Sequence, residues 1–309
     1  MRTSTVRRVC LSVMAAAALT SVAACGGSDS GGSDSGKSAD RGTDKAGGVV
    51  KADPIAALRN VQKKTGGERS AKVEGTTQMG TMMSMKQTGV IDWSDGLTGS
   101  MEITYTGGSM ADAVKQSGGD GTMQARYFKD GYVVNMGDGF AAQAGGKHWI
   151  GYRYADLAKM AGASGEAMKQ QMQNTTPDQG VKSLLASGDV QKVGTEDVRG
   201  VQATHYSGTV DVASLTAKNS ALDAGQLEQL KKQFSDAGIT TEQVDIWVDA
   251  NDLLVKKVER GQMKTGELNS TVYYSDYGTK ASVEQPPAAD TVDFAELLKQ
   301  QQGAGGAAS

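Results

Sequence analysis

Val244-Asp245-Ile246-Trp247-Val248-Asp249, followed by Asn251-Asp252 and the run 253–263, decides the fold class of this chain. Val244, Ile246 and Val248 alternate with Asp245, Trp247 and Asp249, the period of two that sends successive side chains to opposite faces of a strand. Asn251-Asp252 is turn chemistry. The runs 253–263 and 268–277 continue the pattern, so the stretch predicts a meander of strands with one buried and one polar face. That parity puts Asp245 and Asp249 outward, where a solvated face accounts for the pair without catalysis.

Upstream, a helix is predicted near 224–236 from Leu227, Leu230 and Phe234, ending at Gly238. Before it come strands at 189–194 and 201–211, with Glu196 to Gly200 as the turn between them. Helical patterns cover 154–173, carrying Leu157, Met160, Ala161, Met168 and Met172, and 177–186, carrying Val181, Leu184 and Leu185; Gly162 and Gly165 weaken the first. Earlier still, β-type segments fall at 69–79, 82–93, 97–106, 122–129, 132–137 and 147–154, with Ser94-Asp95-Gly96 and Asp130-Gly131 as hairpin turns. A helix from Pro54 to Lys64 opens the folded part, with Asp53 as N-cap, Pro54 in the first turn, Gly66-Gly67 as the stop, and Ile55, Leu58 and Val61 on one face. Downstream, Pro286-Pro287 ends the sheet and Asp290 caps a short final helix carrying Val292, Phe294, Leu297 and Leu298. About ten strands in hairpins, interrupted by helices, describe an antiparallel α+β fold.

The N-terminus has a different character. Arg2, Arg7 and Arg8 precede an apolar run from Val9 to Ala24 that closes on Val22-Ala23-Ala24-Cys25. The run is short for a bilayer crossing of about 20 residues and contains Ser12, Thr20 and Ser21, so residues 1–24 read as a lipoprotein signal peptide. Val22 to Cys25 is a lipobox, and cleavage would leave Cys25 as the N-terminus with diacylglycerol on its sulfur. Arg7-Arg8 also raises twin-arginine export, against which Cys10 favours the general secretory route. Residues 25–48 are the lipidated cysteine and a Gly/Ser-rich tether, whose 23 residues after Cys25 would span about 25 Å as a flexible coil. Residues 49–300 are expected to form a single domain, and 301–309 a disordered tail.

The chain of 309 residues has a formal net charge of −3. Loss of residues 1–24 takes three arginines and no acid, leaving −6, which argues against nucleic acid as a partner. With Cys10 removed and Cys25 acylated, no cysteine is left for a disulfide or metal site.

The lipobox, the Gly/Ser tether, the order helix, meander, helices, meander, and the segments Gly200 to Val210 (GVQATHYSGTV) and Val244 to Asp249 together resemble the LppX/LprG type of lipoprotein from high-GC Gram-positive bacteria, whose fold is similar to that of the carrier LolA. The resemblance covers residues 50–300. It implies a strongly curved, incomplete β-barrel with helices covering the concave face and a hydrophobic cavity that accepts acyl chains. A lipid or lipidated glycan is the ligand it implies, on a monomeric protein anchored through Cys25 to the extracytoplasmic face of the cell membrane, with no cofactor, no metal and no enzymatic role. The chain departs from a dedicated carrier in having only four Phe and many small or polar residues where a lining is expected.

Methionine partly fills that gap. Of 14 methionines, Met79, Met83, Met85, Met101, Met123 and Met136 are candidate lining residues, with Leu227, Leu230 and Phe234 from the helix, because a flexible thioether adapts to a mobile apolar ligand. Met82 takes the opposite parity, and any of these residues fits an ordinary core equally well. Met79 to Met85 also raises copper(I) binding, which opposite-facing side chains on one strand would not support. Lys147-His148-Trp149-Ile150-Gly151-Tyr152-Arg153-Tyr154 is the densest aromatic and basic stretch; Trp149, Tyr152 and Tyr154 are candidates for a cavity mouth, with Lys147 and Arg153 toward head groups, and a half-buried strand entering a helix has the same pattern. His148 and His205 sit in predicted strands without metal-ligand spacing, and no Gly-x-Ser-x-Gly elbow occurs. Gly107-Gly108, Gly118-Gly119 and Gly145-Gly146 read as loops between strands. The competing function is an envelope interaction or sensor module whose core is filled; an open apolar pocket favours the carrier.

Overall fold

The structure is a computed structural model that describes residues 53–116, 118–161, 176–215 and 224–299. The expected signal peptide, Cys25, the expected tether and tail, and the 162–173 part of the expected long helix lie outside them.

Asp53 accepts a hydrogen bond from the Ile55 amide at 3.0 Å and so caps α1 (Pro54–Gly67), which buries Leu58, Val61 and Thr65. A first meander follows: β1 (Ser70–Met79), β2 (Met83–Asp92), β3 (Thr98–Gly107), β4 (Thr122–Phe128), β5 (Gly131–Asn135) and β6 (Trp149–Arg153). The helices α2 (Gly108–Gln116), α3 (Gly137–Ala141) and α4 (Tyr154–Ala161) are inserted in or follow it, and α5 (Gln179–Ser187) leads to the second meander. That meander runs through β7 (Gln191–Val198), β8 (Val201–Asp211), β9 (Thr241–Val248), β10 (Leu254–Met263) and β11 (Gly266–Ser275), with α6 (Ala224–Ala237) between β8 and β9. A last strand, β12 (Thr291–Asp293), precedes a helix over 294–299.

All twelve strands form one sheet in the order β12-β6-β5-β4-β3-β2-β1-β11-β10-β9-β8-β7. The two meanders join where β1 pairs antiparallel with β11, from Lys72 opposite Ser275 to Met79 opposite Leu268. Strands as far apart in that order as β5 and β9 line a single cavity, which requires the sheet to curve about it. The edges β12 and β7 do not pair with each other, so the barrel is incomplete. This is the α+β half-barrel that the resemblance implies, and the order helix, meander, helices, meander is the order of the structure.

The differences from the sequence reading have physical causes. Pro286-Pro287 does not end the sheet, because β12 adds to the edge in parallel with β6, Thr291 opposite Trp149. Val292 therefore lies in a strand, and the helix after it is capped by Asp293, which accepts from the Ala295 amide at 2.8 Å. Asp290 instead accepts from the His148 amide at 2.8 Å and lies 2.7 Å from His148 Nδ1. The turn expected over Glu196 to Gly200 is only its last part: β7 runs to Val198, and Arg199 and Gly200, both with positive φ, make a two-residue hairpin. Glu196 and Asp197 look like turn residues because β7 is an edge strand, where charge discourages further pairing. Gly108 opens α2 rather than a loop. The turn between β4 and β5 is Lys129-Asp130, with Gly131 already opposite Phe128.

One contact ties α1 to the sheet. The pairing of β10 with β9 shifts register at Val255, and such a bulge leaves a backbone group without its ladder partner. The Leu254 amide is satisfied instead by Thr65 Oγ1 at 3.1 Å, and both residues are fully buried. Thr65→Val preserves the shape and strands that amide, so it is expected to cost about 1–3 kcal/mol, read as a lower denaturant midpoint.

Candidate ligand cavity

Between the concave face and helices α5 and α6 lies a cavity of about 330 Å³. Its first part is apolar. Met79 and Met83 are cross-strand partners on either side of the β1–β2 turn, so both face inward. Met85 follows on β2, Met101 and Ile103 on β3, Met123 and Ala125 on β4, each two residues apart and therefore on one face. Leu230 and Phe234 close this wall from α6. Tyr105, Tyr127 and Tyr132 complete it, and burial pushes the phenols of Tyr105 and Tyr127 up to about 12.

The remaining wall, from β9 to β11 and α5, carries most of the polar groups of the cavity among apolar residues such as Leu268 and Val272. Glu242, Lys257, Glu259, Ser270 and Tyr274 face Gln179, Gly180 and Ser183. Lys257 is 4% exposed and its Nζ lies 2.6 Å from Glu259 Oε1. Burial works against its ammonium, and the charge and hydrogen bond of Glu259 more than offset this, so Lys257 remains protonated. Gly180 makes room for the lysine stem: an added Cβ would press on Lys257 Cδ at 2.5 Å. Glu242 is 7% exposed. Burial, with repulsion from Glu259, pushes its carboxyl up to about 8 against the opposing pull of Lys257, so it is neutral at pH 7. Buried ion pairs give little net stability, and perturbed titratable groups in a cavity wall mark a candidate binding site.

No family model matches the chain. It is 68% identical over 261 residues, 84% of its own length and 86% of the relative's, to a Streptomyces griseus protein described as an uncharacterized 31.2 kDa protein in the rplA-rplJ intergenic region. It is 44% identical over 307 residues, 96% of its length and 98% of the relative's, to a protein of Streptomyces coelicolor named "Putative lipoprotein SCO4650". The chain belongs to this streptomycete family. Among solved structures it is similar to the crystal structure of lipoprotein LppX from Mycobacterium tuberculosis, over 74% of this chain and 97% of that one, with a TM-score of 0.43 and 14% identity.

In this family member the nine residues singled out for the lining separate into two groups. Met79, Met83, Met85, Met101, Met123, Leu230 and Phe234 are on the cavity wall; Met136 and Leu227 are buried in the same core but away from the wall. Trp149, Tyr152 and Tyr154 do not form a mouth. All three are buried, and none lines the cavity. Tyr152 stacks on Tyr132 at 4.7 Å and packs against Phe294 at 4.8 Å, so the stretch backs the aromatic end of the wall. Its cations hold the C-terminal segment: Lys147 donates to the Thr291 carbonyl at 2.9 Å, and Arg153 pairs with Asp156 at 2.6 Å and Asp293 at 3.0 Å.

His148 belongs to the same clasp, between Asp290 and Asp138, and the hydrogen bond to Asp290 raises its pKa above the ordinary value. The charge contribution of His148 to the clasp is therefore full below the ordinary imidazole pKa and is lost as pH rises through the raised one, while the Lys147, Arg153 and His148-amide contacts remain. Proton NMR is expected to place the His148 midpoint above 6.5, and Asp290→Asn should bring it down.

On the convex face, Asp245 has the outward parity read from the sequence but is not solvated. It is buried beneath Arg260 at 2.8 Å, His205 at 2.9 Å and Ser207 at 2.6 Å. Burial opposes its charge, yet the hydrogen bonds from Ser207 and His205 hold its carboxyl below the usual range. His205 stacks on Trp247 with ring centres 4.2 Å apart, and the Trp247 indole donates to Glu196 at 2.9 Å, which lowers that carboxyl. Ser207 donates to the carboxylate of Asp245, so the trio lacks the serine-to-imidazole bond of a hydrolase triad. Among the described residues, no group of three or more His, Cys, Asp or Glu is placed to hold a metal ion.

The polar wall was missed because Lys256 and Lys257 are adjacent and face opposite sides, which hides the alternation of β10. A usable signal existed at Glu242, which shares the even parity of the inward Val244 and Ile246.

Proposed function

We propose that this protein is an envelope lipoprotein, held to the outer face of the cell membrane by acylated Cys25, that shelters the apolar part of a lipid-like amphipathic ligand in the cavity of its half-barrel. The observation that carries this reading is the cavity itself: about 330 Å³, within the roughly 300–1,000 Å³ of small-molecule sites, lined mainly by apolar side chains with its ionisable carboxyl and ammonium groups gathered on one side. An interaction module with a filled core would not need it. The name of the S. coelicolor relative supports the lipoprotein part, as does the Val22 to Cys25 lipobox.

The mechanism is burial. Covering about 300 Å² of acyl chain at about 25 cal/mol per Å² gives roughly 7 kcal/mol before the costs of association and ordering. Thioethers on four neighbouring strands let the wall follow chains of different shape.

The test is native mass spectrometry of the protein purified from a related host without detergent, followed by extraction and identification of what is bound. A stoichiometric lipid or lipidated glycan supports the carrier. A mass with nothing bound, unchanged after incubation with envelope lipids, moves the assignment to the interaction module.

A further inference from the structure

Glu242 is the one buried carboxyl of the cavity wall that no described residue hydrogen-bonds. Around it stand Lys257 and Glu259 on β10 and Tyr274 on β11; Tyr274 in turn feels the buried Asp178 at the head of α5, which is paired with Lys182 at 3.0 Å. Lys257 and Glu259 already neutralise each other at 2.6 Å. Among the described lining residues Lys257 is the only cation and it is already engaged, so the carboxyl that the wall turns toward the cavity without a protein partner is that of Glu242. A ligand group that pairs with this carboxyl exchanges its solvent contact for a hydrogen bond in a low-dielectric wall, where such a bond is stronger.

We infer that Glu242, flanked by the Lys257–Glu259 pair, receives the polar end of the ligand, and that it takes an uncharged hydrogen-bond acceptor such as an ester carbonyl and refuses a carboxylate or phosphate. This deepens the cavity reading and rests on it. An anionic end would bring a negative charge next to two carboxyl groups at a site whose one cation among the described lining residues is already engaged, whereas an uncharged carbonyl accepts the Glu242 O–H without changing the local charge. Because burial holds Glu242 protonated up to about pH 8, the donor is present in neutral medium. It is lost at higher pH, when the carboxylate repels the same carbonyl oxygen.

The whole chain, carrying Cys25→Ser so that no acyl anchor is attached, is titrated by calorimetry with 1-palmitoylglycerol and with hexadecylphosphate at pH 6.5 and pH 9. The expected result is a preference of about tenfold or more for the uncharged glyceride at pH 6.5, reflecting about 1.4 kcal/mol or more, and a several-fold loss of that affinity at pH 9. E242Q keeps a donor and is expected to bind the glyceride at both pH values alike. E242M removes it and should lower glyceride affinity at pH 6.5 while leaving the phosphate unchanged. Tighter binding of the phosphate, equal binding of both probes, or a wild-type pH profile in E242Q overturns the head-group assignment and leaves the cavity reading standing. Binding of neither probe, with nothing carried from the envelope, overturns both.

Discussion

Lys257→Met is expected to cost about 3–5 kcal/mol of folding stability, the penalty for removing one partner of a buried ion pair, and to lower Tm by about ten degrees in a domain of this size. The methionine fits the space of the lysine stem beside Gly180, so the loss comes from charge: Glu259 is left without its 2.6 Å partner and Glu242 without the attraction that opposes its neutralisation. The double change Lys257→Met and Glu259→Gln should recover most of it, because the uncompensated carboxylate is gone. The pH dependence has a definite sign. In the wild type Glu242 titrates near 8 rather than 4.5, so the folded state holds a proton that the unfolded chain releases. Stability from this group is full below pH 4.5 and falls as pH rises toward 8. Lys257→Met removes the attraction that holds the Glu242 pKa down, which widens the cost of charging this group in the fold, so the change should be least damaging at pH 5 and most damaging at pH 8. Equal losses at the two pH values, followed by chemical denaturation, would show that packing rather than charge holds this part of the wall.

The same residues show what the sequence can and cannot carry. Strands whose two faces differ in polarity, such as β9 with Val244 and Ile246 inward, are legible because burial on one side imposes the period of two. Edge strands lose that signal. β7 is exposed along nearly its whole length and reads partly as turn, and β12 has three residues and exists because β6 offers it an edge. Within the site, the shared facing of Met79, Met83 and Met85, with Met82 turned away, was legible as parity, but the pairing that brings them together was not. Met79 and Met83 point the same way because a turn makes them cross-strand partners, a relation set by pairing rather than by spacing along one strand. The polar wall depends on β9, β10 and β11 lying side by side, and no local pattern in the sequence states that Glu242 and Glu259 meet Lys257 there.

Ala125→Trp is expected to abolish ligand retention while leaving the fold in place. Ala125 lies on β4 between its partners Met101 on β3 and Val134 on β5, and all three side chains face the cavity. Ala125 is buried beside Met101 and Val134 but lines the cavity, so an indole placed there can extend into that space and the overpacking penalty is expected to stay within about 1–3 kcal/mol, with Tm lowered by several degrees. The cavity holds about 330 Å³, and a side chain of that size takes up a large share of the room an acyl chain would need. Affinity for a bound lipid should drop by about a hundredfold, equivalent to roughly 2.7 kcal/mol, and native mass spectra of the purified variant should show the protein alone. Val193→Trp, on the exposed edge strand and 58% accessible, is the matched control and should retain its ligand. If Ala125→Trp carries as much ligand as the wild type, the lipid sits elsewhere on the molecule and the concave face is not where binding occurs; if ligand is lost only together with the folded near-ultraviolet signal, Met101→Trp, which enters the same space from β3, separates blockage from unfolding.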